Sequence, residues 1–424
     1  MDINQIYNLF LLHPTITTDS RNCPEGAIFF ALKGANFNGN KFAKETIEKG
    51  CSYAFVDEAE YADEKQIFYV PNCLTTLQQL ATKHRMSLNT PIIGVTGTNG
   101  KTTTKELIAS VLKQKYNILY TQGNLNNHIG VPTTLLQLKK EHEIAIIEMG
   151  ANHPGEIKTL VNIARPNYGI ITNVGKAHIE GFGSFEGVIN TKCELYDFLK
   201  DNNGQAFVNH GNEILTGKAT EKNISTIPYG KGSNIDAEIL SSDPFLAIQW
   251  KDYKIQTQLI GRYNFENIVA AIAIGKQFQV ADEQIVKAIE NYTPTNNRSQ
   301  FKKTEQNELI IDAYNANPTS MNASLDNFIL IQKSDKAVIL GDMKELGVVS
   351  ETEHQKVADK LENSSINEIL LIGPNFAKTN CPKAKKFNDV VALNQYLSNS
   401  PIKGKLILVK GSNSMKLIEC VNLL

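Results

Sequence analysis

Short apolar runs recur along the chain, each bounded by polar or turn-forming residues. IIGV (92–95), IAIIEM (144–149) and YGIITNV (168–174) read as buried strands. LIID (309–312), AVIL (337–340), EILLIG (368–373) and LILVKG (406–411) repeat the pattern after Phe301. Between the strands lie stretches of helical period, from the 96–104 turn to about Lys115, at 155–163, at 186–199 and at 263–278. Strands separated by helices predict mostly parallel sheets covered on both faces. Nearer the start, FAKETIEKG predicts a helix over 41–49 closed by Gly50, and YAFV (53–56) a strand. Polar SLNTP (87–91) reads as a linker, and the mixed stretch 200–258 predicts hairpins. There is no internal repeat. The expected fold class is α/β in three domains, 1–88, 89–299 and 300–424, with a doubly wound pattern in the last.

Composition narrows this picture. At 424 residues the chain is too long for one ordinary domain. With 42% apolar and 21% charged residues it is neither disordered nor collagenous. Lys plus Arg total 43 against 44 for Asp plus Glu, so no long polybasic surface for nucleic acid is expected. Cys23, Cys51, Cys73, Cys193, Cys381 and Cys420 are far apart, without CxxC or zinc spacing, and are expected as reduced thiols. No apolar run reaches the ~18 residues that span a bilayer. The first twenty residues lack a basic leader segment, so a cytoplasmic protein is expected.

The sharpest chemical signal is IIGVTGTNGKTTT. A buried strand enters a glycine-containing turn and a helix leaves it. The backbone N–H groups of Gly97, Thr98, Asn99, Gly100 and Thr103 can surround phosphate oxygens at the positive end of that helix. Lys101 can reach the β- and γ-phosphates, and Thr102 can offer a hydroxyl to Mg²⁺. The generic phosphate-loop pattern is missed, because Val95 stands five positions before Gly100; a merely structural turn is the alternative. Glu148 and His178 each follow a strand of the same domain. Singly they read as surface polar groups; together they favour a site, Glu148 with Thr102 suiting a metal that bridges nucleotide oxygens and His178 a second metal or the orienting of a metal-bound group. Asn264 and Asn267, three apart in GRYNFEN, can share one helix face toward a nucleotide, or simply cap the helix. DAYNANPTS (312–320), GDMKELG (341–347) and KGSNSM (410–415) form polar loops after later strands. Lys410 is a candidate for an anionic substrate, or an ordinary solvated lysine.

Taken together, these segments resemble the Mur ligases of bacterial cell-wall synthesis. The likeness runs through TTDSR (17–21), TGTNGKTTT, GNLNNHIGVPTTLL (123–136), IIEMGANHPGEI (146–157), AHIEGFGS (177–184), GRYNFENIVAAIA, DAYNANPTSM, GDMKELG and KGSNSM. It implies a small N-terminal domain for a UDP-linked substrate, a central ATPase domain, and a C-terminal Rossmann-like domain. DAYNANP resembles the branch of the family that joins D-alanyl-D-alanine to UDP-N-acetylmuramoyl-tripeptide. DYAH- and DNPR-type stretches, typical of the branch adding diaminopimelate or lysine, are absent. ATP and two Mg²⁺ ions are implied, with a monomeric protein and no integral membrane association.

By this resemblance Lys101 is the phosphate-loop lysine, while Thr102, Glu148, His178 and Lys192 belong to the metal region. Lys192, in INTKCELY, falls where the family commonly carries a carbamylated lysine (N6-carboxylysine); an unmodified lysine is the alternative. Lys101, His178 and Lys192 are the implied catalytic set. Asn264, Asn267, Arg298, Asp312 and Tyr314 are implied at the nucleotide, Ser20 and Arg21 at the UDP end. Asn124, Asn126, Asn317 and Lys410 are implied in substrate handling. KGSNSM departs from the family, Asn413 standing where many relatives carry arginine. A ligase adding a single amino acid and an inactive nucleotide-binding scaffold are the competing readings.

Overall fold

The computed structural model describes residues 1–424. Three main sheets follow one another along the chain, as the spacing of apolar runs predicts, beside a smaller three-stranded and a two-stranded sheet. The first is four-stranded and parallel, ordered Ile16–Thr17, Ile28–Phe30, Tyr53–Val56, Ile67–Tyr69. The second is six-stranded and parallel, ordered Ser225–Tyr229, Gln205–Asn209, Tyr168–Ile171, Ile92–Thr96, Ile144–Glu148, Ile118–Tyr120. Strand Ile92–Thr96 is wholly buried and lies in its interior. From there the connections wind to either side, which opens a crevice at its carboxyl end. The third sheet is ordered Gln300–Lys303, Glu308–Asp312, Leu406–Lys410, Lys336–Gly341, Glu368–Ile372, Ala384–Phe387. Only its first strand is antiparallel. No helix is long and apolar enough to cross a membrane, and all six cysteines are free thiols.

One sequence expectation is corrected. Within 200–258, strands Gln205–Asn209 and Ser225–Tyr229 extend the central parallel sheet, with helix Glu213–Glu221 between them. Only Glu238–Ser242, Phe245–Trp250 and Tyr253–Ile260 form antiparallel hairpins. The helix buries just Leu215 and Ala219, too few apolar residues to show a period.

Segment 87–91 connects helix Cys73–Met86 to strand Ile92–Thr96, and it is clamped in place. Thr90 is buried and its hydroxyl donates to the His142 carbonyl at 3.0 Å. Ser87 Oγ lies 2.6 Å from Tyr7 Oη. Just before it, helix Cys73–Met86 is stapled to the central domain. Buried Arg85 donates to the carbonyls of Ala164, Leu88 and Arg165, and to Asn167 Oδ1 at 2.9 Å. One apolar cluster runs from Ile6 and Phe10 through Leu77 and Leu80 to Val131, Leu160 and Leu195. The first two sheets therefore share a core, whereas the third is built on two other clusters, one of which takes in Ile260 and Phe245 from the central hairpins.

Candidate functional site

The crevice beside Ile92–Thr96 opens into a cleft of about 1200 Å³. Its floor is the loop Gly97–Gly100. Gly97 has φ +142° and Gly100 φ +77°, values that favour glycine. A Cβ on Gly100 would stand 2.6 Å from Asn267 Oδ1, so the helix behind it excludes a side chain. Asn173 fixes the loop from the neighbouring strand end, accepting from Asn99 N–H and donating to the Asn99 carbonyl, both at 3.0 Å. Helix Lys101–Leu112 follows. Its first N–H groups have no partner within the helix and are available to an anion.

Lys101 Nζ donates to the carbonyls of Gly97 and Thr98, at 2.7 and 3.0 Å. Burial lowers its pKa to about 8, with the Arg298 charge adding to the shift and Glu148 opposing it. Thr102 is buried behind the loop, its hydroxyl donating to Glu148 Oε1 at 3.2 Å. Asn126 Nδ2 donates to the same oxygen at 2.8 Å. The other oxygen, Oε2, is buried without a hydrogen-bond partner; Lys105 Nζ lies 3.8 Å away. A buried anionic oxygen left unbonded is costly, and a hard cation relieves that cost. The Thr102–Glu148 pair therefore fits Mg²⁺ bound with nucleotide phosphates.

His178 lies at the rim in the left-handed region, φ +51°. Its Nδ1 bonds the Glu345 carboxylate of the third domain. Burial is the main cause of its lowered pKa, against the pull of Glu345. Lys192, 2% exposed, lies behind the lining. Its ammonium reaches one carbonyl, Ala151, at 3.3 Å, and stands 5.2 Å above the Phe182 ring. Burial first, then the Lys101 charge, bring its pKa down to about 7. A lysine amine must be neutral to take up CO₂, so this environment suits a carbamate.

Asn264 and Asn267 are buried and bonded in series. Thr104 Oγ1 donates to Asn267 Oδ1, Asn267 Nδ2 to Asn264 Oδ1, and Asn264 Nδ2 to the Ile260 carbonyl. They thus brace the loop while also lining the cleft. From the third domain come Asp312 and Tyr314, with the Arg298 guanidinium stacked 4.0 Å above the Tyr314 ring. Lys410, 1% exposed, is paired with Asp312 at 2.5 Å, so its charge is already balanced. Asn317 caps helix Pro318–Leu330 and donates to Asn99 Oδ1 at 2.8 Å, tying that helix to the phosphate loop.

Thr98, Asn99, Gly100, Lys101, Thr103, Asn124, Asn126, Glu148, His178, Asn264, Asn267, Arg298, Asp312, Tyr314 and Lys410 all line the one cleft. Gly97, Thr102, Lys192 and Asn317 are not among its lining residues. Ser20 and Arg21 also lie outside it, in the first domain. Ser20 is buried, and the exposed Arg21 guanidinium is held by Asp19 at 2.8 Å. Lys105 directly follows the TGTNGKTTT stretch and looks like a surface lysine in the sequence, yet its side chain is 0% exposed. Glu345, within GDMKELG, likewise has no role legible in the sequence.

This cleft, built from a nucleotide-type loop and a third-domain wall, is that of a Mur ligase, and the chain belongs to the Mur ligase family. Residues 14–85 match the catalytic domain of the Mur ligase family, 95–275 the Mur ligase middle domain, and 297–413 the Mur ligase glutamate ligase domain. Among particular proteins, the chain is similar to UDP-N-acetylmuramoyl-tripeptide–D-alanyl-D-alanine ligase of Bacillus subtilis (strain 168). The two are 33% identical over 99% of this chain and 94% of that protein. The crystal structure of MurF from Acinetobacter baumannii superposes with a TM-score of 0.85 at 30% identity, covering 96% of this chain and 92% of that one. MurF ligase from Thermotoga maritima, solved in complex with ADP, gives a TM-score of 0.85 at 25% identity, with 97% of each chain covered.

Proposed function

We propose that this protein joins D-alanyl-D-alanine to the terminal carboxylate of UDP-N-acetylmuramoyl-tripeptide at the expense of ATP, in peptidoglycan precursor synthesis. The observation that carries the reading is one cleft that unites Thr98–Lys101 and Thr103 with Glu148, Asp312 and Tyr314. A carboxylate does not lose oxide to an amine. Transfer of the γ-phosphoryl group makes an acyl phosphate, whose phosphate is a good leaving group. Attack by the dipeptide amine gives a tetrahedral intermediate that collapses to the amide, releasing phosphate. No side-chain nucleophile is needed, because the substrate's own carboxylate takes the phosphoryl group.

The chain's own groups account for the work. Loop N–H groups and Lys101 hold the β- and γ-phosphates and balance the charge that develops on them. When bound, Mg²⁺ would supply charge neutralisation at the phosphates. Thr102 and Glu148 would hold it, with Asn126 fixing the carboxylate. Asn264 and Asn267 keep the loop in shape; Arg298, Asp312 and Tyr314 face the nucleoside side. His178 stands where it can receive a proton from the attacking amine. Ser20 and Arg21 take the UDP end. A carbamate on Lys192 would turn a buried cation into an oxygen ligand for a second Mg²⁺, and the protein works as a monomer.

The test is a mass-spectrometric screen of UDP-muramoyl tripeptides with ATP and either the dipeptide or single amino acids. A dipeptide-sized mass gain is expected; a gain of one residue, or none, sinks the assignment. The carbamate is checked separately. With ¹³C-bicarbonate, a carbamate carbon resonance is expected in the native enzyme and none in Lys192→Ala, whose turnover short carboxylates would restore.

A further inference from the structure

The bond between His178 and Glu345 crosses a domain boundary. It is the one acid–base pair in the molecule that links residues before and after Phe301. The other side-chain bonds between the two domains are neutral or involve a backbone N–H: Asn317 to Asn99, Arg262 N–H to Asn327 Oδ1, Ser299 N–H to Asp312 Oδ1 and Gln332 N–H to Asp243. Both members of the pair stand in the left-handed region, His178 at φ +51° and Glu345 at φ +61°. Neither is glycine, so the surrounding structure must hold each backbone in that shape, a pattern that gathers at functional sites. The neighbouring surfaces fit each other as well. Gly347 packs against Glu180, where even an added Cβ would find ordinary contact at 3.5 Å. Ile179 and Phe185 face Pro318, Leu346 and Val349 across a small interdomain cavity.

The consequence lies in the imidazole. A neutral ring carries one proton, and a carboxylate on Nδ1 keeps that proton there. Nε2 then holds the free lone pair, the form that can bind a metal or accept a proton. We infer that Glu345 is a positioning residue for His178, fixing its Nδ1–H tautomer from the third domain. This rests on the proposed place of His178 in the reaction. Because the two residues come from different domains, His178 is set only when the third domain is seated on the second. Domain seating and chemistry are thereby joined through one side-chain bond.

The experiment uses the full-length enzyme with a non-hydrolysable ATP analogue and both acceptor substrates. In ¹⁵N-histidine spectra, His178 is expected as the Nδ1–H tautomer, identified by its loss in His178→Ala. Glu345→Ala is expected to shift it toward Nε2–H or a mixture. In steady state, Glu345→Ala should lower kcat about tenfold, leaving KM for ATP and the UDP substrate within twofold. Glu345→Gln, whose carbonyl can still accept from Nδ1–H, should keep kcat within threefold. In a His178→Ala background, Glu345→Ala should have no further effect. An Nε2–H tautomer in the native enzyme overturns the inference. So does unchanged kcat in Glu345→Ala, or an undiminished effect without His178. If His178→Ala itself turns over normally, the underlying reading of His178 fails instead.

Discussion

Lys101 sits among carbonyl oxygens and pays for its burial with a pKa of about 8. Phosphate oxygens would favour its charged form, so nucleotide binding should draw a proton onto it. The sign follows: affinity is full below about 8 and falls as pH rises through that value. Calorimetry at pH 9 in buffers of different ionisation enthalpy should register net proton uptake; none would mean that Lys101 does not meet the phosphates. Lys101→Ala should cut kcat by ~100-fold or more, since it removes a countercharge to the developing transition state. Unchanged turnover in a phosphate-release assay would rule out the proposed loop geometry.

At the scale of elements, the strand–loop–helix unit explains why two glycines are needed. Gly100→Ala would place a methyl against Asn267 and force an L-residue to φ +77°. The left-handed backbone alone costs ~1–2 kcal/mol. The expected result is a lower melting temperature and nucleotide affinity weakened about tenfold; wild-type behaviour in both would show that the loop relaxes freely. The same unit was plain in the sequence, because IIGV is buried on both faces and ends at a glycine turn. Helix Glu213–Glu221 and the strands beside it were not, because their polar context hides the period. Site residues divide in the same way. Lys101, Glu148 and His178 follow strand ends, a place with chemical meaning in this fold. Lys105, Thr121 and Glu345 acquire theirs only from partners distant in sequence: Lys105 donates to the Thr121 carbonyl, whose side chain accepts from Glu148 N–H. No local pattern records such meetings.

For the whole molecule, the clamped segment 87–91 and the Arg85 staple matter most. Arg85→Met would leave the acceptors at Ala164, Arg165 and Asn167 without a guanidinium, at a cost of about 2–4 kcal/mol. Urea unfolding should show that loss in the transition shared by the first two domains, and little change in the third. A loss below ~1 kcal/mol would show that the shared apolar core alone joins them. The first two domains are thus fused by a common core, while the third joins them through fewer and more polar contacts.

That fusion makes the enzyme a ruler. With the UDP end held near Ser20 and Arg21, as proposed, the span to the phosphate loop is fixed by a common core rather than by a flexible joint. The peptide must cover that span to bring its carboxylate to the γ-phosphate. An extended residue contributes at most ~3.5 Å. A UDP-muramoyl dipeptide would therefore bind by its nucleotide end yet stop about one residue short. It should inhibit the tripeptide reaction without supporting phosphate release, so the length of the acceptor is read by the rigidity of the two domains that hold its ends.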